Sequence, residues 1–506
     1  MVNYQTWLET PNVVRVIIAQ VQAIISGSLT TRYIATHGVT VDSTPYTPII
    51  SNNIEIDESI SVDYAASISY GDIEIANHNG EYDTWLNDIW ANKSIKLYVG
   101  PYISGNSTIT DYQQIFDGII VDIDSKSRTK LNIKIRDKLE KLNTSISEVL
   151  LGNYYHGNVL ADNSVAYQNQ YKTTLKPLVF GEVHNITPLL TDPTMLEYMV
   201  CLEAVEQILE VRDNGIPVLF TTVGSTTTIP PGSFQLLASP VGTVTCSVQG
   251  VKRTINIGAG TISATFNASV SNTIATILKV FGNTVAYTEI DTSSFGSLGT
   301  APVGIYINNR VNVLQQCQDM AKSSGLILST TRLGVLKLID LKIPTSATVT
   351  ITDSDIILNS LSISQRLDIS AGIRLGYARN WTVQTGLVTA IPQQHKDLYA
   401  EEWLESVQID ATTKTNYGIT VEPTLETTYL IDKVSADTLA LNKLNLFKAR
   451  RKIMSMTCTA KQLSIQVGDA VTLNSSRFNL AGGVLGLVIS TKPNWIRGTI
   501  DIGILL

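Results

Sequence analysis

Apolar and polar residues alternate strictly in Leu131-Asn132-Ile133-Lys134-Ile135-Arg136, and Ile95-Lys96-Leu97-Tyr98-Val99 does nearly the same. A period of two sends successive side chains to opposite faces, so both runs read as strands with one face buried and one wet. Residues 115–124 read as a third strand, which the polar turn Ser125-Lys126-Ser127-Arg128-Thr129 joins to 131–136 as a hairpin. The first 145 residues thus predict a β-rich unit whose one helical signal is the short stretch 82–90. From 143 to 194 the periodicity weakens, and polar residues, Tyr and Gly predict an irregular or extended connector. Residues 195–220 carry apolar runs on either side of Asp213-Asn214-Gly215, a tight-turn signal because Asn and Gly tolerate positive φ. Residues 204–209 fit either a strand or a helical turn, and 221–232, rich in Thr, Gly and Pro, reads as a loop.

Strands resume over 234–251. Ile274, Ile277, Leu278 and Phe281 then recur at the spacing of one helix face, with Ser271 or Asn272 as cap and Gly282 as stop. A second helix is predicted over 310–323, from Asn308-Asn309 to Gly325, with Val311, Leu314, Cys317 and Ala321 on one face. It leads into a strand pair, 326–329 and 335–341, around Arg332-Leu333-Gly334. The last third reads as short strands at 349–351, 361–363 and 372–377, a long helix over 436–453 capped by Ser435, and strands from 467 to the end. One internal echo stands out. Gly118-Ile119-Ile120-Val121-Asp122-Ile123-Asp124, a polar turn and 131–135 resemble Gly486-Leu487-Val488-Ile489-Ser490, a polar turn and 499–504. The pattern as a whole predicts a mainly β fold with an α+β insert, divided as 1–145, 146–220, 221–345 and 346–506, and the echo raises the possibility of a duplicated β unit.

At 506 residues the chain is long enough for about three or four domains. Charged residues make up only 16% while hydrophobic ones reach 44%, and mean hydropathy is +0.12, which excludes a disordered, solvated chain. Thirty-seven basic against 44 acidic residues leave a net charge of −7 and a pI near 5.4, no basis for gripping phosphate or an anionic membrane. So little charge on a large chain suggests that partner subunits cover much of its surface. The start has no basic stretch followed by an apolar core, so a chain made and kept in the cytosol is expected. No run approaches the roughly 20 apolar residues of a spanning helix, so stable membrane insertion is not expected.

Catalytic and cofactor signatures are missing. Cys201, Cys246, Cys317 and Cys458 lie far apart and read as buried thiols. No Walker-type or dinucleotide-binding glycine loop, G-x-S-x-G elbow or H-E-x-x-H motif occurs, and His37, His78, His156, His184 and His395 stand singly. No metal, cofactor or catalytic residue is predicted. Asp122 and Asp124 share a strand face with Lys130 and Lys134 opposite as counter-charges. Glu401, Glu402 and Glu405 near Trp403 read as the exposed face of a short helix, and they are the carboxylates that an enzyme of the glycosidase type would draw on.

Several segments resemble the central hub proteins of bacteriophage tail tips and baseplates. The clearest is Ile373-Arg374-Leu375-Gly376-Tyr377-Ala378-Arg379-Asn380-Trp381-Thr382-Val383-Gln384, followed by Leu387 and by residues 395–403. Four more are 115–120 with Gly118, 175–183 with Gly181, 240–250, and 480–488 with Gly486. The resemblance implies two β-barrel hub domains, 1–145 and 346–506, with further small domains between them, and a homotrimeric ring of quasi-sixfold symmetry. It implies a structural, non-enzymatic part of the virion tail tip, assembled in the host cytoplasm. Its partners would be a tail tube or distal ring protein, a tape-measure protein and tip or fibre proteins, and DNA would pass without specific binding. Tyr377, Arg379, Asn380, Trp381, Gly118, Gly181 and Gly486 are the motif residues, with packing or interface roles. Two alternatives stay open: a β-rich cell-wall or polysaccharide hydrolase using Glu401 or Glu402, and a receptor-binding adhesin whose tip is formed by loops at 221–232 and 291–304.

Overall fold

The alternating runs near the N-terminus form an antiparallel sheet because their apolar faces, Ile95, Leu97 and Val99 on one strand and Leu131, Ile133 and Ile135 on another, are all fully buried. Its order is Ser28–Ala35, Arg15–Ile25, Lys93–Pro101, Gln113–Ser127, Lys130–Arg136, Tyr70–Ala76. The computed structural model describes residues 4–10, 13–67, 70–151, 173–222, 229, 231–256, 261–263, 265–281 and 289–506. Near the C-terminus a second sheet runs Val349–Thr352, Ala470–Ser475, Leu480–Asn494, Thr499–Leu505, Lys452–Thr459, Ser362–Arg366. Glu58–Ser59, from the N-terminal part of the chain, pairs with Leu480–Asn494.

The expected β-rich architecture is present, but neither sheet is a closed barrel. In the first, residues 47–52 run between the edge strands Ser28–Ala35 and Tyr70–Ala76, and the Asn52 side chain accepts from Glu74 N–H and donates to the Asp72 carbonyl. There Thr47 exchanges hydrogen bonds with Tyr33 and Ala35, while Ala76 donates to Ile49 and Ser51 to Glu74. In the second, the chain leaves the edge strand Val349–Thr352 and crosses to the opposite edge, where Ile357 donates to Thr457 and Thr459 to Asp355. A single irregular segment satisfies the edge donors and acceptors that full closure would otherwise pair. The two sheets share one hydrophobic core, in which Ile17, Leu97 and Ile133 meet Met454, Val471, Trp495 and Ile504.

A second core fills the middle. Its five-stranded sheet runs Ile216–Pro217, Val205–Asp213, Val244–Val251, Leu178–Ile186, Gly304–Ile307. Helices Val270–Thr276 and Val313–Lys322 pack on it, and the latter is capped by the Asn312 side chain and stops at Gly325, whose φ is +73°. Helix Lys433–Phe447 and the sheet Leu404–Ile409, Gly372–Tyr377, Leu425–Thr427 join the same core through Leu375, Tyr377, Leu439 and Ala440.

Several local expectations need correction. The connector 143–194 holds the inner strand Leu178–Ile186, whose apolar run is interrupted by Gly181 and so lacks a period; residues 152–172 of that stretch lie outside the described residues. Besides the stretch near 82–90, the N-terminal unit has a helix, Tyr4–Glu9, and short 3-10 segments at Ile109–Asp111 and Lys138–Leu142. Of residues 204–209, all but the first belong to the strand Val205–Asp213, and the turn after it is tight as predicted, with Asn214 and Gly215 at φ 47° and 86°. The helix expected at 272–281 starts at Val270 after Ser269 and becomes one π turn, Ile277–Phe281, with its proposed stop Gly282 outside the described residues. The long helix ends at Phe447, is capped by Asp432 and not Ser435, and gives way to the strand Lys452–Thr459. There Met454, Met456 and Cys458 alternate inward, a period of two that the basic run 448–452 masks. Residues 291–304 are not all loop: Asp291 caps a helix, Thr292–Ser297. Most of the loop 221–232 lies outside the described residues. Among the described residues no helix is long and apolar enough to cross a membrane.

All four cysteines are free and buried. Burial pushes the Cys201 thiol up to about 11 and the Cys458 thiol up to about 12, and it raises Cys246 and Cys317 as well. A thiol held neutral and shielded is a poor nucleophile. Native protein treated with iodoacetamide at pH 8 should therefore gain no label, and four labels after denaturation, read by intact mass; rapid native labelling would contradict the packing.

Candidate functional site

The two sheets contain the same four-strand unit. Tyr70–Ala76, Lys93–Pro101, Gln113–Ser127 and Lys130–Arg136 lie in the spatial order second, third, fourth, first. Lys452–Thr459, Ala470–Ser475, Leu480–Asn494 and Thr499–Leu505 lie in that same order. Each unit has a 3-10 turn between its first and second strands, Asp83–Asn87 and Ala460–Gln462. In each, a third strand of 15 residues pairs with a fourth of 7, and the pairing carries a bulge. The hairpin echo in the sequence is the visible part of this larger repeat.

Gly118 and Gly486 both sit in those third strands. A Cβ at Gly118 would lie 2.3 Å from the Arg136 carbonyl oxygen and 2.5 Å from the Phe116 ring; one at Gly486 would lie 2.4 Å from the side chains of Ile504 and Leu506. Each glycine lets the hairpin pack closer than a side chain allows. On the first hairpin, Lys134 pairs with Asp124 at 2.6 Å, while Lys130 turns to Glu74 at 2.7 Å.

The motif segment continues from the strand Gly372–Tyr377. Tyr377 is buried in the middle core, and Ala378 turns the chain with φ 47°. The Arg379 guanidinium lies 4.2 Å from the Trp381 ring and 5.3 Å from the Trp403 ring and pairs with Glu402 at 3.0 Å. Asn380 accepts from Asn185 Nδ2 at 2.7 Å and donates to the carbonyls of Tyr399 and Glu401. Trp381 donates its backbone N–H to His184 O and meets Tyr306 edge to face at 6.0 Å. The segment thereby ties the strand Leu178–Ile186 to residues 399–404. Gly181 lies on that strand opposite Gly304.

The three glutamates do not share a helix face. Glu401 and Glu402 follow the helix Gln393–Ala400, and Glu405 lies in the strand Leu404–Ile409. Glu402 is taken by Arg379, and Glu405 by Nη2 and Nε of Arg374 at 2.6 and 2.7 Å, a hydrogen-bonded pairing that holds the Glu405 carboxyl below its usual range. Among the described residues no group of three or more His, Cys, Asp or Glu is placed to hold a metal ion.

Sequence reasoning missed the junction between the two cores. Arg332, read only as a hairpin turn, is buried and donates to Glu58 Oε2 at 2.8 Å, Thr491 Oγ1 at 2.9 Å and the carbonyls of Leu463 and Ile465 at 3.0 and 2.7 Å. Thr491 Oγ1 itself donates to Glu58 Oε2 at 2.8 Å, and the Arg332 backbone binds Asp117 N–H and Gln466. One guanidinium thus connects residues 58, 463, 465 and 491. Nothing local in the sequence signals a partner 274 residues away.

No family model matches the chain, and no curated protein matches it. Three solved structures align over nearly its whole length. A tail protein from Neisseria meningitidis MC58 is 10% identical, with a TM-score of 0.38 and 96% of each chain covered. The 43 kDa tail protein of prophage MuSo2 from Shewanella oneidensis is 11% identical, with a TM-score of 0.43 and 97% of this chain and 98% of that chain covered. The prophage tail protein gp18 from Listeria monocytogenes EGD-e is 7% identical, with a TM-score of 0.36 and coverage of 97% and 94%.

Proposed function

We propose that this chain is the structural hub of a phage tail tip or baseplate. Three copies close into a ring that joins the tail tube to the tip and leaves a channel for DNA. The observation that carries the reading is the four-strand unit that occurs twice on one shared core. A closed ring needs a heterologous contact between neighbours, and three chains with two like units each offer six similar faces to an adjoining hexameric ring. On this reading 1–145 supplies one hub unit, 346–506 the other, and 146–345 the domains between them. Tail tube or distal ring, tape-measure and tip or fibre proteins are the partners, and the role is architectural, with Tyr377, Arg379, Asn380, Trp381, Gly118, Gly181 and Gly486 serving packing. A net charge of −7 suits a conduit that phosphate does not adhere to.

The test is the mass of the assembled protein. Native mass spectrometry or sedimentation should give about three times the 55.1 kDa of one chain, and electron micrographs should show rings that cap tail tubes. A protein that stays monomeric at high concentration and never decorates tubes would overturn the proposal.

A further inference from the structure

From Asn214 to Val251 the chain carries no Asp, Glu, Lys, Arg or His, a gap in which its average of 16% charged residues would place several. Where the run is core, in the strands Ser233–Leu236 and Val244–Val251, the lack of charge is ordinary. Where it is exposed, it is not. The segments 216–219 and 237–243 lie side by side at one end of the middle core, since Leu237 donates its N–H to Leu219 O and Asp213 pairs in register with Ile216 while binding the loop at 241–242. At this end Ile216, Leu219, Leu237 and Val241 are 43%, 78%, 62% and 98% exposed. Four large aliphatic side chains thus stand in water on neighbouring loops that hold no charge.

The loops are held from within. The Asp213 carboxylate, which borders the run, accepts from Val241 N–H at 2.6 Å and from Gly242 N–H at 2.7 Å, and Asn214 N–H donates to Thr243 O at 2.9 Å. Val218 N–H donates to Val211 O, and Pro217 and Pro240 have no N–H to leave open. Val241 is therefore fixed at the apex of its loop, with the backbone donors beside it already paired. A contact between proteins surrounds its apolar centre with a polar rim and about one hydrogen bond per 100–200 Å². These loops offer no charged side chain for such a rim. A lipid surface asks for what they do have, which is protruding apolar side chains, no charge and few unpaired backbone donors.

We propose that this end of the molecule docks on a lipid bilayer, with Leu219, Leu237 and Val241 dipping into the interface of one leaflet. The contact is shallow and reversible and spans nothing, and the claim does not depend on the hub reading. Flotation of the full chain with phosphatidylcholine vesicles tests it. The vesicles should carry the protein upward, and neither added phosphatidylserine nor about 0.5 M salt should change the bound fraction much, since no cation takes part. Leu219→Ser and Val241→Ser should each weaken binding about fivefold, and Leu219→Asp with Val241→Asp should abolish it. The thermal midpoints should stay at the parent's, because both side chains already stand in water. Leu358→Ser, at an 87% exposed leucine beside the second sheet, should bind as the parent does. A nitrobenzoxadiazole label on Val241→Cys should brighten and shift to shorter wavelength with vesicles, and one on Leu358→Cys should not. No flotation of the parent, binding unchanged in the double aspartate variant, or binding that requires anionic lipid would each overturn the assignment. A lower assembled mass of the double variant without vesicles would also overturn it, by making this end a contact between protein chains.

Discussion

Arg332→Met is expected to destabilise the protein by about 3–5 kcal/mol, because breaking a buried ion pair from one side leaves the other charge unsolvated and unpaired. Here the stranded group is Glu58, only 7% exposed, and with it the carbonyls of Leu463 and Ile465 lose a charged donor. Glu58→Leu alone should be similarly costly, since it strands the arginine. The double variant Arg332→Met with Glu58→Leu removes both charges and should recover most of the loss, as apolar replacements of whole buried pairs commonly do. The control is Arg310→Ala, whose partner Glu148 is 57% exposed, so that its removal should leave the midpoints close to those of the parent. Thermal and urea midpoints of the four variants measure this. Loss of less than about 1 kcal/mol in Arg332→Met would mean that the junction holds nothing together. Because Arg332, in the turn between the strands Leu326–Thr330 and Leu336–Asp340, holds that hairpin to the sheet in which Glu58 and Thr491 are paired, its loss should split one unfolding transition into two.

The contrast between Arg332 and the strands around it shows what kind of information a sequence exposes. Leu131, Ile133 and Ile135 announce their strand because each repeats the same local choice, apolar inward, at a fixed spacing. Gly372–Tyr377 and the Asn214-Gly215 turn were legible for a similar reason, since β propensity and positive φ belong to single residues. The strand Leu178–Ile186 was not, because it is buried on both faces near Gly181 and so shows no alternation. The end of the long helix was misread where two periods overlap, the basic run 448–452 fitting a helix C-terminus and Met454, Met456 and Cys458 fitting a strand. The bridging of the open sheet edges was beyond reach for another reason. Residues 47–51 and 353–361 bridge sheet edges with backbone groups, which every residue carries, so no side-chain pattern marks them. Of the motif residues, Trp381 and Arg379 were visible as types, but their stacking on each other and on Trp403 depends on the turn at Ala378.

Gly181→Ala is expected to prevent the middle sheet from forming as it stands, at a cost above about 4 kcal/mol, the range reserved for substitutions that the surroundings cannot absorb. A Cβ there would fall 1.7 Å from the Val303 carbonyl oxygen, and one at Gly304 would fall 1.7 Å from the Glu182 carbonyl oxygen. The two glycines are register partners, so the strands Leu178–Ile186 and Gly304–Ile307 approach through each other's missing side chain. Both obstacles are backbone atoms, and no rotamer change moves them away. Gly181 also has φ +67°, which adds conformational strain for any L residue. Gly304→Ala should behave alike through the steric term alone. Gly296→Ala separates the steric argument from a general intolerance of substitution: that glycine sits in the helix Thr292–Ser297 with nothing within 4 Å of its Cβ position, and alanine there should stabilise by up to about 1 kcal/mol. Soluble yield and thermal midpoint of the three variants decide the matter. A soluble Gly181→Ala protein melting with the parent would show that the two strands are not in this register. The consequence reaches beyond that sheet, because Asn185 and His184, at the far end of the same strand, hold the Asn380–Trp381 segment in place. Trp381 fluorescence should therefore report the defect even in variants that remain soluble.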